Sequence, residues 1–594
     1  MVTNSRDLRE TRRGVPDPTQ GPTLSSRAIS WWYSHGRLRS GIAVAVVVLV
    51  LAPMVLGAWR APGAPMEEGK LLIAGELVLD GKVPHDDFEH FYGPADVWAV
   101  ATSMAVFGRN LGAERLLGVG YFMLFVGSIF VLTRRFGLTA AALAAITAGV
   151  IGVPFGIHAY SWSAGVALGL AAIALALAAM GPSGDDREGT PFLARTDHAQ
   201  TRAATISGGL AGLALLYRPD LILAIGAALL VLAPRLRPDL RRRGFLAATA
   251  TCLVPYLVHL AMAGPGPTFD GIITSTLFRL RDGRSLPVPP PGNELTAWLD
   301  LSAPDPPPSR VLPDIRLVVQ LQAFFWLTAA ATVVLLIVAW YSLRRHRAHP
   351  LTPALASVSL FSALLVTQML QRADATHVRF AASTILAVAP VMAAVALHLL
   401  DRRFPRDWGA VQFLLMSGFA VALLVPYYTL RLASVDLRWG VGARSVAVAT
   451  NDGRRFPVID PIFDDVTGVI DLVDREGPGS GRIFIGPQEL RLANYADSFL
   501  YHLLSDYTPA SFFLESNPGI ANRPGSRLAD DLRRADVLVL SDEYDNWDEP
   551  NASRVFGPDE PNQVVKENFC LAGTSGRYEV HFRLGTAAAE RSCQ

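Results

Sequence analysis

The feature that most constrains this chain is a series of long, almost uncharged apolar stretches separated by clusters of arginine. The first, residues 41–59, contains 19 uncharged residues. That is enough for a helix to cross the ~30 Å hydrocarbon core of a bilayer. Ten more follow, at about 116–133, 138–156, 159–181, 204–217, 221–233, 244–263, 317–342, 352–370, 380–400 and 408–430, with the two around Arg218 notably short. Of the 594 residues 51% are hydrophobic and only 18% charged, too apolar a balance for a soluble enzyme or a disordered chain. The expectation is a polytopic α-helical membrane protein with about 11 transmembrane helices in residues 41–430.

Loop charge sets the orientation. A cytoplasmic N-terminus puts Arg134 and Arg135, Arg187, Arg195 and Arg202, the cluster Arg235 to Arg243, Arg344 to Arg347, and Arg402 to Arg406 all on the cytoplasmic side. The exported side then receives loops 60–112 and 264–316, the turn 371–378 and the C-terminus. Residues 1–40, polar and Arg-rich, read as a disordered cytoplasmic tail. They do not form a secretory signal, because the apolar run after them has no small-residue cleavage site. Only three of the 53 basic residues are lysine, which suggests a GC-rich bacterial genome and hence a plasma membrane.

Residues 431–594 carry 25 acidic against 17 basic side chains and read as an exported soluble α/β domain. GRIFIG (481–486) and ADVLVL (535–540) have the pattern of buried strands, and RYEVHFRL (577–584) alternates like an edge strand. Stretches 488–505 and 526–534 look helical. Cys570 and Cys593 flank the last strand. Outside the cytoplasm such thiols tend to pair, so a disulfide is expected, with two free thiols as the alternative. Cys252 falls in an apolar stretch and reads as inert. The acidic run 542–549 lacks the glycine and terminal bidentate glutamate of a calcium hand and reads as a solvated loop. The apolar 509–522 reads as domain packing in preference to an acceptor groove. The net charge of +1 gives no bias toward nucleic acid. Phosphate-cradling Gly-rich loops, zinc spacings and Gly-x-Ser-x-Gly are absent from the sequence, which removes an ATP-driven pump and a serine hydrolase.

The densest chemistry follows the first apolar stretch. Pro65 suits the first turn of a helix, and 66–79 reads as an amphipathic stretch along the membrane surface. Glu67 and Glu68 stand at its N-terminus. They read either as carboxylates stabilising a helix N-terminus or as a general base for an acceptor hydroxyl. Then come Gly81, Lys82, Val83, Pro84, His85, Asp86, Asp87, Phe88, Glu89, His90, Phe91, Tyr92, Gly93 and Pro94. Asp86 and Asp87 are candidates to orient an acceptor or to hold a divalent cation, Mg or Mn; no other cofactor is indicated.

This text resembles the integral-membrane GT-C glycosyltransferases, in particular the bacterial relatives of protein mannosyltransferases and lipid A aminoarabinose transferases. The resemblance rests on the acidic pair, on Gly81-Lys82-Val83-Pro84-His85-Asp86-Asp87-Phe88 and on Phe91-Tyr92-Gly93-Pro94. It is specific over residues 60–120 and loose elsewhere. It implies a GT-C-like fold, a polyprenyl-phosphate sugar donor, inversion at the sugar carbon, and a catalytic base among the first-loop carboxylates. Carried onto this chain, that base is Glu67 or Glu68. The family's first acid is commonly Asp, so which of the two glutamates is the base stays open.

Basic groups for a departing lipid phosphate are sought elsewhere. Arg218 lies in Tyr217-Arg218-Pro219-Asp220, where it either meets the phosphate or braces the bundle with Asp220. Arg372, Asp374, His377 and Arg379 lie in the turn between two apolar stretches, as phosphate ligands or as an ordinary interfacial loop. His85, His90 and Tyr92 complete the candidate substrate-binding set. His158, Tyr160 and Trp162 read as an interfacial aromatic belt. The function expected is transfer of a sugar from the lipid carrier to a cell-envelope glycan, lipid or protein on the exported face. The alternatives are a transporter or flippase, or a non-catalytic envelope scaffold. Convergence of Glu67, Asp86 and Arg372 in one outward cavity would favour the enzyme.

Overall fold

The computed structural model describes residues 36–153, 157–181, 196–286, 288–289, 317–400, 408–442, 445–545, 549 and 551–593. The tail expected to be disordered lies outside them as far as residue 35, as does the second half of loop 264–316.

In chain order the helices of the membrane half are α1 (Gly36–Arg60), α2 (Glu67–Leu79), α3 (Ala95–Phe107), α4 (Leu111–Thr133), α5 (Leu138–Gly152), α6 (Ser161–Ala179), α7 (Asp197–Tyr217), α8 (Ile222–Leu232), α9 (Pro238–Ala263), α10 (Leu317–Arg345), α11 (Thr352–Leu364), α12 (Val366–Gln371), α13 (Ala375–Leu400), α14 (Trp408–Leu424) and α15 (Tyr427–Val441). Each apolar stretch carries a helix over most of its described residues. Among the described residues, seven helices are long and apolar enough to cross a membrane: α1, α4, α6, α9, α10, α11 continued by α12, and α13. The α14–α15 pair, bent by 74° at its break, makes an eighth if it is one span. The eleven stretches therefore do not make eleven full-length helices. Pro219 interrupts α7 and α8, and the 11 residues of α8 rise only ~16 Å. The chain is a multi-pass membrane protein carrying a C-terminal sheet domain.

Small side chains hold the bundle centre together. Ala140, Ala141, Ala144, Ala145 and Ala148 of α5 are buried, which lets neighbouring helices approach closely where no hydrophobic force acts between them in lipid. On α9 the pattern reverses: Phe245, Leu246, Leu253, Val254, Leu257 and Val258 are exposed, a face suited to acyl chains.

The C-terminal domain is built on a five-stranded sheet in the order β4-β3-β5-β7-β6, preceded by a two-stranded hairpin of β1 (Val446–Ala449) and β2 (Arg455–Val458). β3 (Gly481–Pro487) pairs in parallel with β4 (Tyr507–Pro509) and β5 (Val537–Ser541). β7 (Tyr578–Arg583) runs antiparallel to β5 and to β6 (Phe569–Ser575). Two sequence expectations change here. β7 is internal and β6 is the edge, because β6 carries a register shift between Leu571 and Gly573 that hides its periodicity. Of the stretch expected to be helical at 488–505, only Phe499–Leu503 is an α-helix, since Ala493 and Tyr495 take left-handed φ of 48° and 61° that stop a helix. Cys570 and Cys593 form the expected disulfide.

The domain sits on the loops of the membrane half. Gly69 of α2 lies so close to the helix start at Phe499 that a Cβ would come within 2.2 Å of the Phe499 nitrogen, and that N–H donates to Pro65 O at 3.1 Å. The expected surface-lying helix is therefore roofed over: Glu68, Leu71, Leu72, Ile73 and Ala74 are buried. Glu76 Oε2 accepts from Arg454 at 2.7 Å, and Glu76 Oε1 lies 2.6 Å from His502 Nδ1. Arg372 donates to both oxygens of Glu549, to Asp374 Oδ2 at 2.5 Å and to Arg284 O at 2.7 Å. In the run 542–549 Asp542 and Glu543 are exposed, as a solvated loop requires, but Glu549 is wholly buried, which corrects the expectation at that residue. Arg372→Ala should cost roughly 3–5 kcal/mol, because it leaves a buried carboxylate without its cation. Arg237→Ala, at an exposed pair with Asp197, should cost under ~1 kcal/mol. Chemical denaturation of the detergent-solubilised protein measures both.

Candidate active site

The two adjacent glutamates at the start of α2 have opposite surroundings. Glu68 is fully buried. Its Oε2 accepts from Ala64 N–H at 2.8 Å, which satisfies a free donor at the helix start. Arg115 of α4 grips both oxygens, Nε to Oε1 at 2.7 Å and Nη2 to Oε2 at 2.8 Å. The same guanidinium donates to Trp59 O at 2.7 Å and Ala61 O at 3.0 Å, fastening the end of α1. His158 Nδ1 lies 2.9 Å from Glu68 Oε1. Burial alone would raise the Glu68 carboxyl, but His158 and Arg115 hold it well below the usual carboxylate range.

Glu67 is one residue earlier, about 100° around the helix. Its carboxylate makes no hydrogen bond or ion pair with any described residue. It lines a small cavity of about 110 Å³. Lys70, one turn along α2, shares that wall with His90, Tyr92 and Asp96. The remaining wall comes from Tyr160 and Trp162, Arg218, Arg284, Gln368, His377 and, from the C-terminal domain, Glu515. Burial pushes the Glu67 carboxyl up, and the negative charge of Glu515 pushes it further, against the pull of Arg284, Lys70 and His158. Glu89, buried behind this wall, is pushed up to about 8 by burial, with Lys70 opposing.

The other sequence candidates divide between cavity and scaffold. Arg218 donates to Asp220 at 2.8 and 2.7 Å and to Gln368 Oε1 at 3.1 Å. It also lies flat over the rings of Tyr92 and Trp162, 4.4 and 5.0 Å from their centroids, so it is braced and in the wall at once. His377 Nδ1 lies 2.8 Å from Asp374 Oδ1. Arg372 is clamped as described and does not reach the wall. Arg379 lines a neighbouring, mainly apolar cavity of about 50 Å³ with Phe122, Phe125, Val166 and His158; Trp162 and Phe380 border both cavities. Tyr160 and Trp162 are thus wall residues, where an interfacial belt was expected. His90 is held by Asp96 Oδ1 at 3.0 Å. His85, at a left-handed φ of 72°, is packed behind the wall with Nδ1 2.9 Å from His259. Burial and the neighbouring His90 and His259 lower it to about 2, so it stays neutral.

Asp86 and Asp87 are exposed on the outside of the turn. Asp87 accepts from Val83 N–H at 2.8 Å and pairs with Lys82 at 3.4 Å. For Asp87 that is a turn-stabilising role, away from the cavity, and among the described residues no third ligand group joins the two aspartates. Among the described residues, ligand atoms of Glu68, Glu114 and His158 lie within 4.8 Å of one another. A guanidinium already holds both oxygens of Glu68, and one donor is an imidazole. This set fits poorly the octahedral oxygen shell that Mg²⁺ demands, so no reaction step is drawn through a metal.

The sequence reading missed Lys70, Arg284, Glu89 and Glu515. Lys70 was findable, since it follows Glu67 at the i, i+3 spacing of one helix face. Glu515, 448 positions from Glu67, has no local signal.

No protein-family model matches this chain, and no curated protein matches it. Among solved structures, the chain is similar to the crystal structure of ArnT from Cupriavidus metallidurans bound to undecaprenyl phosphate, at 14% identity, 94% of this chain, 99% of that chain and a TM-score of 0.48. It is also similar to the archaeal oligosaccharyltransferase AglB from Archaeoglobus fulgidus in complex with an inhibitory peptide and a dolichol-phosphate, at 12% identity, 90% of this chain, 74% of that chain and a TM-score of 0.47. At these values the likenesses decide nothing about the site, which is read from its own residues.

The contrast between the two glutamates has a direct consequence for stability. Glu68→Gln should destabilise the protein by roughly 3 kcal/mol, because Arg115 is left buried without its counter-charge. Glu67→Gln should be neutral or slightly stabilising. The sign with pH follows: Glu68 titrates below its unfolded value, so its contribution is full above the unfolded carboxylate range and is lost as pH falls toward its folded pKa. Thermal unfolding of wild type and the two variants from about pH 2 to 8 separates them, since the Glu68 contribution is lost below the ordinary carboxylate range.

Proposed function

We propose that the chain is a glycosyltransferase that moves a sugar from a polyprenyl-phosphate carrier to a cell-envelope glycan, lipid or protein acceptor on the exported face of the membrane, without need of a nucleic-acid partner. The observation that carries this reading is Glu67. It is a carboxylate without a hydrogen-bond or ion-pair partner among the described residues, in the wall of a cavity that also holds Lys70, Arg218, Arg284 and His377.

Glycosyl transfer needs both halves of that set. The acceptor hydroxyl must lose a proton as its oxygen bonds to the sugar carbon, and Glu67, with its raised affinity for protons, is suited to take it. The carbon–oxygen bond to the phosphate must break, leaving negative charge on a phosphate monoester. Lys70, Arg284 and Arg218 line the same cavity and supply positive charge to the departing phosphate, with His377 also in its wall. Attack on the face of the sugar carbon opposite the departing phosphate would invert it. The adjoining apolar cavity, beyond Trp162 and Phe380, suits the first isoprene units of the carrier. Asp86 and Asp87, outside the cavity, are left out of the mechanism. So are Arg372, consumed by Glu549, and Glu68, consumed by Arg115.

Of the three residues whose convergence would favour an enzyme, Glu67 alone faces the cavity. Support therefore rests on its new neighbours Lys70, Arg284 and Glu515. A transporter or flippase remains the competing class, and the test below distinguishes it by chemistry.

Membranes carrying wild type or Glu67→Gln at matched expression are supplied with radiolabelled polyprenyl-phosphate sugars. Wild type should transfer label, and the variant should lose ~10²–10⁴-fold, the usual worth of a general base. Transfer should rise with pH as Glu67 ionises, with its midpoint above the usual carboxylate range. Equal transfer by both would remove Glu67 from the chemistry.

A further inference from the structure

Lys70 and Glu515 form an ion pair of 2.8 Å in the cavity wall, with side chains only 14% and 8% exposed. The lysine belongs to α2 and the glutamate to the C-terminal domain. Lys70 has the Phe91 ring 5.0 Å away on another side, and Glu89, Tyr92 and Glu515 are the acidic or polar groups acting on it. Glu515 supplies the counter-charge that a buried ammonium requires.

Glu515 also has a second set of partners. Asn517 Nδ2 donates to the same Oε2 at 2.7 Å and to Glu89 Oε2 at 3.3 Å. Asn517 Oδ1 accepts from Arg284 at 3.1 Å. Between them, Ser516 takes a left-handed φ of 55°, a conformation that surrounding contacts must hold in place. A carboxylate released by Lys70 would therefore still have Asn517 and the charge of Arg284 beside it.

We infer that Glu515 is a positioning residue that occupies, on Lys70, the place of an anionic ligand group, so that a phosphate monoester entering the cavity must displace it. The choice of phosphate monoester rests on the function proposed above. The displacement makes the C-terminal domain part of the site, and it makes phosphate binding compete with an internal contact between the domain and α2. The same chemistry could come from a lipid headgroup or from free phosphate.

The test uses the full chain in nanodiscs at pH 7, titrated calorimetrically with farnesyl phosphate and, separately, with inorganic phosphate. Glu515→Gln, which keeps the shape and removes the competing charge, should bind farnesyl phosphate at least about tenfold more tightly than wild type, the scale of one charged contact. Glu515→Asp, which keeps the charge, should bind like wild type. Tightening toward farnesyl phosphate alone assigns the lipid-linked source. Tightening toward both assigns the phosphate group itself, and either result supports displacement. Unchanged or weaker binding by Glu515→Gln overturns it, as does equal tightening by Glu515→Asp or failure of every form to bind. Sugar transfer is measured on the same preparations. Transfer by wild type with unchanged binding in Glu515→Gln sinks the displacement and leaves the glycosyltransferase standing. Tightened binding without transfer by wild type does the reverse.

Discussion

The arrangement of the site depends on one buried ion pair. Arg115 and Glu68, in contact through both carboxylate oxygens, join α4, the start of α2 and the end of α1 at a single guanidinium. Taking two charges out of water is costly, and a pair of this kind adds little net stability over an apolar substitute. Its value is directional. A planar guanidinium that serves Glu68 and the carbonyls of Trp59 and Ala61 together leaves α2 little freedom to rotate or slide. The orientation of α2 decides which of its acids meets the cavity.

The second constraint is charge balance within the cavity. Glu67, Glu515 and the buried Glu89 face Lys70 and Arg284 across a few side chains, at the junction of two parts of the chain that are far apart in sequence. An excess of acid would have repelled a phosphate, and an excess of base would have held Glu67 ionised too firmly to take a proton. The C-terminal domain supplies one carboxylate to this balance and, through Glu549, removes one cation from it. Arg372 looks in sequence like a phosphate ligand because it sits in a short exported turn beside His377. It is unavailable because the domain brings a buried carboxylate down onto it.

What was legible in the sequence was whatever a local pattern encodes. The apolar stretches announced their helices, the buried runs at 481–486 and 535–540 announced β3 and β5, and the two C-terminal cysteines announced their bond. Illegible were the features set by tertiary contact. Chain interruption by Pro219 shortens α8 below membrane length, and left-handed residues at 493 and 495 undo a helix that composition favoured. The acidic loop ending in Glu549 has the composition of a solvated segment, and only the docking of two domains shows that its last carboxylate is buried. The site divided the same way. Glu67, Arg218 and His377 could be picked out by residue type and place, while of the equally conspicuous Asp86 and Asp87 both lie exposed and Asp87 braces its own turn.

The opposite fates of Glu67 and Glu68 follow from helix geometry combined with these anchors. Neighbouring residues of a helix point about 100° apart, so at most one of an adjacent pair can face a given cavity squarely. Pro65 O accepts from Phe499 N–H, and Gly69 admits that backbone at a distance no side chain would allow, so the first turn of α2 is fixed from the domain side. Arg115 fixes it from the membrane side. With both in place, Glu68 must point into the bundle and Glu67 must point at Lys70 and Glu515. A pair of glutamates is thus read by the fold as two different groups: one ionised and structural, the other reluctant to ionise and open to a ligand. That difference in affinity for protons is what a base working beside a structural carboxylate requires, and here it arises from a single step along the helix.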